Sequence, residues 1–78
     1  MRFELDPDAD ALYLTLSDGP YAFGKDMDDS RRVDYAADGS VVGIEILFPS
    51  RGVDLRGLPI PPALLEQLRR ETQLAFVA

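Results

Sequence analysis

Tyr13, Asp34 and Glu45 are the residues of this chain best placed to do chemistry. Each falls on an alternating stretch, 11–16, 32–35 or 41–48, in the phase opposite to the aliphatic side chains, so all three belong on the polar face of a sheet. A phenol beside two carboxylates can exchange protons if burial raises one carboxyl toward neutrality, and it can equally hold a small ligand. The same residue types also make an ordinary solvated sheet surface. A second candidate is Asp6, Asp8 and Asp10, which alternate like the opening of a calcium loop. That pattern breaks at Ala11, where the loop needs Gly, and at Ser17, where it needs a bidentate Glu. Asp6-Pro7 also suits a turn whose carboxylates cap nearby amides, so no metal is assigned to the three aspartates.

The missing residue types narrow the chemistry further. The 78 residues include no histidine and no cysteine, which removes a serine-histidine relay, a thiol nucleophile, thiolate metal sites and disulfides. Lys25 stands among Asp26, Asp28 and Asp29 and reads as an ion-pair partner. Arg31-Arg32, Arg51, Arg56 and Arg69-Arg70 are interspersed with acids and read as local salt bridges. A net charge of −6 opposes nucleic-acid binding and favours a basic partner. No apolar run approaches the ~18 residues of a membrane span, and the start has no basic region leading into an apolar stretch. A cytoplasmic protein without a cofactor is the expectation, and the balance leans away from an enzyme.

The elements that must position these groups follow from periodicity. With 46% hydrophobic residues spread along its length, the chain is too apolar to stay disordered. Phe3 and Leu5 alternate before Asp6-Pro7, and Leu12, Leu14 and Leu16 alternate after the turn, which predicts a hairpin. Ser17-Asp-Gly-Pro20 is a turn, and 21–30 reads only as a frayed edge strand. Val33 and Tyr35 share a face of the next strand. Asp38-Gly39 then closes a hairpin onto a strand whose Val42, Ile44, Ile46 and Phe48 point one way. Gly43 interrupts that strand, and it reads as relief for a neighbouring aromatic such as Tyr13 or Tyr35. After a Pro/Gly connector at 49–60, Pro61 and Pro62 open a helix with Leu64, Leu65 and Leu68 on its apolar stripe. The apolar tail 74–78 can dock as well.

Asp6-Pro-Asp-Ala-Asp-Ala-Leu-Tyr13, a strand like Val33-Asp-Tyr35, and Asp38-Gly-Ser-Val-Val-Gly-Ile-Glu-Ile-Leu47, in this order and spacing, resemble a small bacterial family catalogued as domain of unknown function 2283. The resemblance covers residues 3 to 48 and implies a compact antiparallel sheet. It carries no established activity. Some members lie beside toxin-like genes, which implies an antitoxin-like or accessory role. The connector and helix lie outside the resemblance.

The sequence thus predicts one α+β domain: a hairpin-built antiparallel sheet of four to five strands over 1–48, the connector at 49–60, and a C-terminal helix and tail over 61–78. The helix packs on the sheet or is exchanged in a dimer. At this length a single apolar core is barely sufficient, so a homodimer is expected. The functional expectation is a non-catalytic interaction module for a basic protein. The alternative is a ligand binder or enzyme using Tyr13, Asp34 and Glu45.

Overall fold

In a computed structural model describing residues 1–77, alternation becomes one antiparallel sheet of five strands. These are β1 (Arg2–Asp6), β2 (Ala11–Thr15), β3 (Phe23–Asp26), β4 (Arg31–Tyr35) and β5 (Val41–Leu47). Their spatial order is β1-β2-β5-β4-β3. Three tight connections pair neighbours in sequence, and the β2–β5 pairing closes the sheet with Leu12 opposite Ile46 and Leu14 opposite Ile44. The two predicted aliphatic rows therefore lie on one face, and all four of these side chains are buried. The segment 21–30 does contain an edge strand, β3, paired among the described residues with β4 alone.

That dry face needs a cover, and the C-terminal third supplies it. Helix α1 (Pro62–Glu71) begins after Pro61 in an extended conformation and presents Leu64 and Leu68, both fully buried, to the sheet. Leu65 is only partly buried at the margin of the stripe. Thr72 ends the helix: its hydroxyl donates to the Leu68 carbonyl at 2.7 Å, and its backbone is extended. The connector is more ordered than its composition suggests. It holds a 3-10 turn (Pro49–Arg51), and a two-residue strand β6 (Val53–Asp54) pairs in parallel with β7 (Phe76–Val77) in the tail. Val53 and Leu55 enter the core beside the helix leucines.

Phe48 departs from the expectation. The strand ends at Leu47, and Phe48 takes a left-handed backbone, φ 57°, that swings its ring out of the aliphatic row. It is 44% exposed, with the Arg51 guanidinium 4.9 Å from its ring centre.

Carboxylates hold the turns. Asp6 accepts the amides of Asp8 and Ala9, and Asp38 accepts the amide and hydroxyl of Ser40. Asp10 reaches across the fold to the amide and hydroxyl of Ser50, clamping the β1–β2 turn to the 3-10 turn. Arg31 is opposite Ile46 and so lies on the core face. Its guanidinium pairs with Asp28 and donates to the carbonyls of Asp54 and Arg56, stapling connector to sheet. Asp54 in turn accepts the Arg56 amide and guanidinium.

Two outcomes follow from this packing. Leu68→Ala removes a side chain with no exposed surface and lowers unfolding free energy by about 2–5 kcal/mol, read as a urea midpoint shift at unchanged slope. The turn clamps set an acid limit. The Ser50 hydroxyl depresses the pKa of Asp10, the Arg31 guanidinium that of Asp28 and the Ser40 hydroxyl that of Asp38, while Arg56 draws Asp54 from 3.8 to about 2. A depressed folded pKa means stability present above the unfolded value and lost as pH falls through the folded one. Thermal melts followed by circular dichroism should therefore hold level above about pH 4 and fall toward pH 2.

Candidate functional site

The face of the sheet opposite α1 carries the polar residues. Across it run two rows fixed by the strand register. One row holds Asp26 on β3, Arg32 on β4, Glu45 on β5, Tyr13 on β2 and Glu4 on β1. The next holds Gly24, Asp34, Gly43, Thr15 and Arg2. Asp34 thus lies between two glycines, and neither neighbour brings a side chain of its own.

Side chains from the adjacent row fill both vacancies. The Tyr13 phenol leans over Gly43 and donates to Asp34 Oδ2 at 2.8 Å. A Cβ built at Gly43 would stand 2.0 Å from the Tyr13 hydroxyl, so only glycine leaves this path open. Arg32 lies over Gly24 in the same way, its guanidinium 2.4 Å from where a Cβ would be, and its Nε donates to Asp34 Oδ1 at 3.3 Å. The Arg32 guanidinium also binds Asp26 and the Tyr21 hydroxyl. Asp34 is the one buried charged residue among the described residues, 9% exposed, and each of its oxygens has a partner.

The chain β2 to β4 is therefore bridged over β5 by one phenol. Burial and then the hydrogen bond to Asp34 push the Tyr13 pKa up to about 12. Its proton is held at neutral pH. Arg32 is kept charged by Tyr21 and Asp26, both of which raise its pKa.

The structure joins two of the three sequence candidates and separates the third. Tyr13 and Asp34 are bonded. Glu45, opposite Tyr13 in register, makes no hydrogen bond or ion pair among the described residues and faces a different space. That space is a groove of about 450 Å³ lined by Asp26, Asp28, Asp29, Ser30, Arg31, Arg32, Glu45 and Leu47. Tyr13 and Asp34 do not line it. Asp6, Asp8 and Asp10 are not gathered either: Asp6 turns to its own turn amides and Asp10 to Ser50. No group of three His, Cys, Asp or Glu among the described residues is placed to hold a metal ion.

Sequence reasoning missed Arg32 as part of the Asp34 site. Its signal was Gly24, a second glycine on the same row as Gly43, legible only once the register is known. The groove likewise depends on the β3–β4 turn, whose residues carry no periodicity.

A family model described as Protein of unknown function (DUF2283) matches residues 2–50. The match spans the five-stranded sheet, with Tyr13, Asp34, Gly43 and Glu45, and reaches the Asp10–Ser50 clamp. No curated protein and no solved structure matches the chain.

The Tyr13–Asp34 bond has an alkaline signature. A raised tyrosine pKa means stability present below the unfolded value of 10 and lost as pH rises through the folded value of about 12. A tyrosine absorbance titration should show a component near pH 12 that is absent from Tyr13→Phe. The same variant should lose about 1.5–3 kcal/mol of stability at neutral pH, the worth of a hydrogen bond to a charged acceptor.

Proposed function

The chain belongs to the family described as protein of unknown function (DUF2283), and on that premise we propose that it is a non-catalytic interaction module whose acidic sheet face binds a basic protein. An antitoxin-like or accessory role toward that protein is the form we assign to the binding. The observation that carries this reading is the division of labour on the polar face. The groups suited to proton transfer are bonded to one another, while unpaired carboxylates border an open groove.

General acid-base catalysis needs a group whose pKa lies near the working pH. Tyr13 is pushed to about 12, and both Asp34 oxygens are engaged by Tyr13 and Arg32. The groove differs. Four carboxylates, from Asp26, Asp28, Asp29 and Glu45, face it together with Arg31 and Arg32. Arg31 spends its guanidinium on Asp28 and two connector carbonyls, and Arg32 on Asp26, Asp34 and Tyr21. Asp29 and Glu45 remain without an ion-pair partner among the described residues, so the rim keeps a negative surplus that attracts Lys and Arg. The net charge of −6 adds long-range attraction of the same sign.

The test is a titration with a short Lys/Arg-rich peptide followed by backbone amide shifts. Binding should shift Asp29, Ser30, Glu45 and Leu47, weaken as salt is raised, and weaken at least several-fold in Asp29→Asn/Glu45→Gln, since rim charges act through screened Coulomb attraction. Shifts scattered over the whole surface, or unchanged binding by the double variant, would overturn the reading.

A further inference from the structure

We propose that β1 is a pairing edge for a second copy of this chain, with Phe3 on the two-fold axis. This inference is independent of the basic partner. β1 is an outer strand of the sheet, and its far side is unpaired among the described residues. The direction of its backbone groups follows from the neighbouring ladder. The Leu16 amide donates to the Val42 carbonyl and the Phe48 amide to the Asp10 carbonyl, both at 2.9 Å, so Leu12 and Leu14, in step with them, bond to β5. Ala11, Tyr13 and Thr15 therefore turn to β1, where they meet Asp6, Glu4 and Arg2. The amides and carbonyls of Phe3 and Leu5 are left pointing outward, where a second strand can take them, and no turn or loop bond among the described residues reaches them.

Charge selects the register. Antiparallel partners point to the same face, so a two-fold normal to the sheet allows only registers centred on a residue of the strand. Centring on Arg2, Glu4 or Asp6 sets that charge against its own copy, and centring on Leu5 sets Glu4 against the partner's Asp6. Like charges directly opposite one another destabilise an antiparallel pair. Among the five residues of β1, Phe3 is the one centre free of them. Each Arg2 then faces the partner's Glu4, and Phe3 exchanges both outward bonds with the partner's Phe3. The residues that decide this all lie inside β1, in unbroken register with β2. Charges on a short edge strand commonly prevent pairing, whereas these specify it.

The side chains on this edge are available. Glu4 is exposed and has no ion-pair partner among the described residues. Arg2 bonds Asp18 at 3.0 Å with both side chains largely in water, a contact worth little on its own. The partner's Glu4 brings a second carboxylate to that guanidinium. On the opposite face Phe3 packs at the margin of the core, so the partner's Phe3 extends the apolar layer across the junction. Leu5, 39% exposed, falls opposite the partner's Met1, a residue 59% exposed in the single chain. The pairing joins two sheets into one with both helices on the same side. Both acidic grooves lie toward β3, remote from the axis, and stay open.

The absence of cysteine gives a direct register test. Arg2 and the partner's Glu4 form a non-hydrogen-bonded pair, whose Cα atoms stand about 4.5 Å apart, within disulfide reach. Mixing Arg2→Cys with Glu4→Cys under oxidising conditions should give a crosslinked heterodimer well above either variant alone. Sedimentation should show a concentration-dependent dimer that grows no further and that Arg2→Glu weakens at least about tenfold, a penalty of roughly 1.4 kcal/mol. Mixing Arg2→Glu with Glu4→Arg should restore association, because every facing pair is again of opposite charge. A wild-type monomer at every concentration, assemblies that grow beyond the dimer, or a dimer indifferent to Arg2→Glu would overturn the proposal. A crosslink in Glu4→Cys alone as strong as in the mixture would place Glu4 on the axis and overturn it too. Both positions are exposed, so the crosslink reads the register without disturbing the core.

Discussion

A carboxylate held almost out of water must be solvated by its own chain, and Asp34 is the residue for which this fold makes that provision. Its neighbours in the row, Gly24 and Gly43, have no side chains, and the space they leave is crossed by Arg32 and Tyr13. An unpaired buried charge costs several kcal/mol, so the two donors are a condition of the fold as much as a feature of its surface. The bridge also measures register. Tyr13 on β2 reaches Asp34 on β4 only by passing over the single glycine of β5. Sliding β2 by two residues along β5 would keep the faces correct but set the ring against Val41 or Glu45 and leave Asp34 short of a donor. The polar face thus specifies what aliphatic packing alone would leave degenerate.

The opposite face imposes the complementary requirement. Leu12, Leu14, Ile44 and Ile46 form a dry surface that a five-stranded sheet cannot shield by itself, and α1 with the β6–β7 pair closes it. Adjacent arginines link the two sides. Arg31 and Arg32 are consecutive on β4, so they point to opposite faces. Arg31 holds the connector over the core, and Arg32 completes the Asp34 site. One dipeptide therefore couples the covering layer to the polar layer, and a one-residue slip would exchange their roles.

What could be read from the sequence is what obeys a period. Half-buried antiparallel strands alternate, so β1, β2, β4 and β5 and the face shared by Tyr13 and Asp34 follow from spacing, as do the two helix leucines. Gly43 was legible because a glycine in a β-rich strand calls for a close approach, and Tyr13 makes it. Phe48 was misplaced because the alternation continues through it, while a positive φ ends the strand one residue earlier. The β6–β7 pair is two residues long and has no period to detect. The contacts of Arg31 are to backbone carbonyls, which any residue provides, and the Asp10–Ser50 clamp joins positions forty apart. Such contacts leave no trace in local composition.

The fate of Glu45 shows why shared strand phase does not by itself make a site. Glu45 and Tyr13 are direct register partners, and proximity alone would make them a pair. The phenol instead leans into the next row, because Gly43 leaves room there and Asp34 supplies a buried acceptor. A neutral phenol donating to a carboxylate in a partly buried place gains more than the same phenol beside a solvated one, since the bond strengthens as water is excluded. Glu45 is left facing the groove with its charge unspent. The arrangement that stabilises the sheet therefore commits the phenol and Asp34 to one another and leaves carboxylates on the open side. A surface of that kind is suited to attract cationic groups.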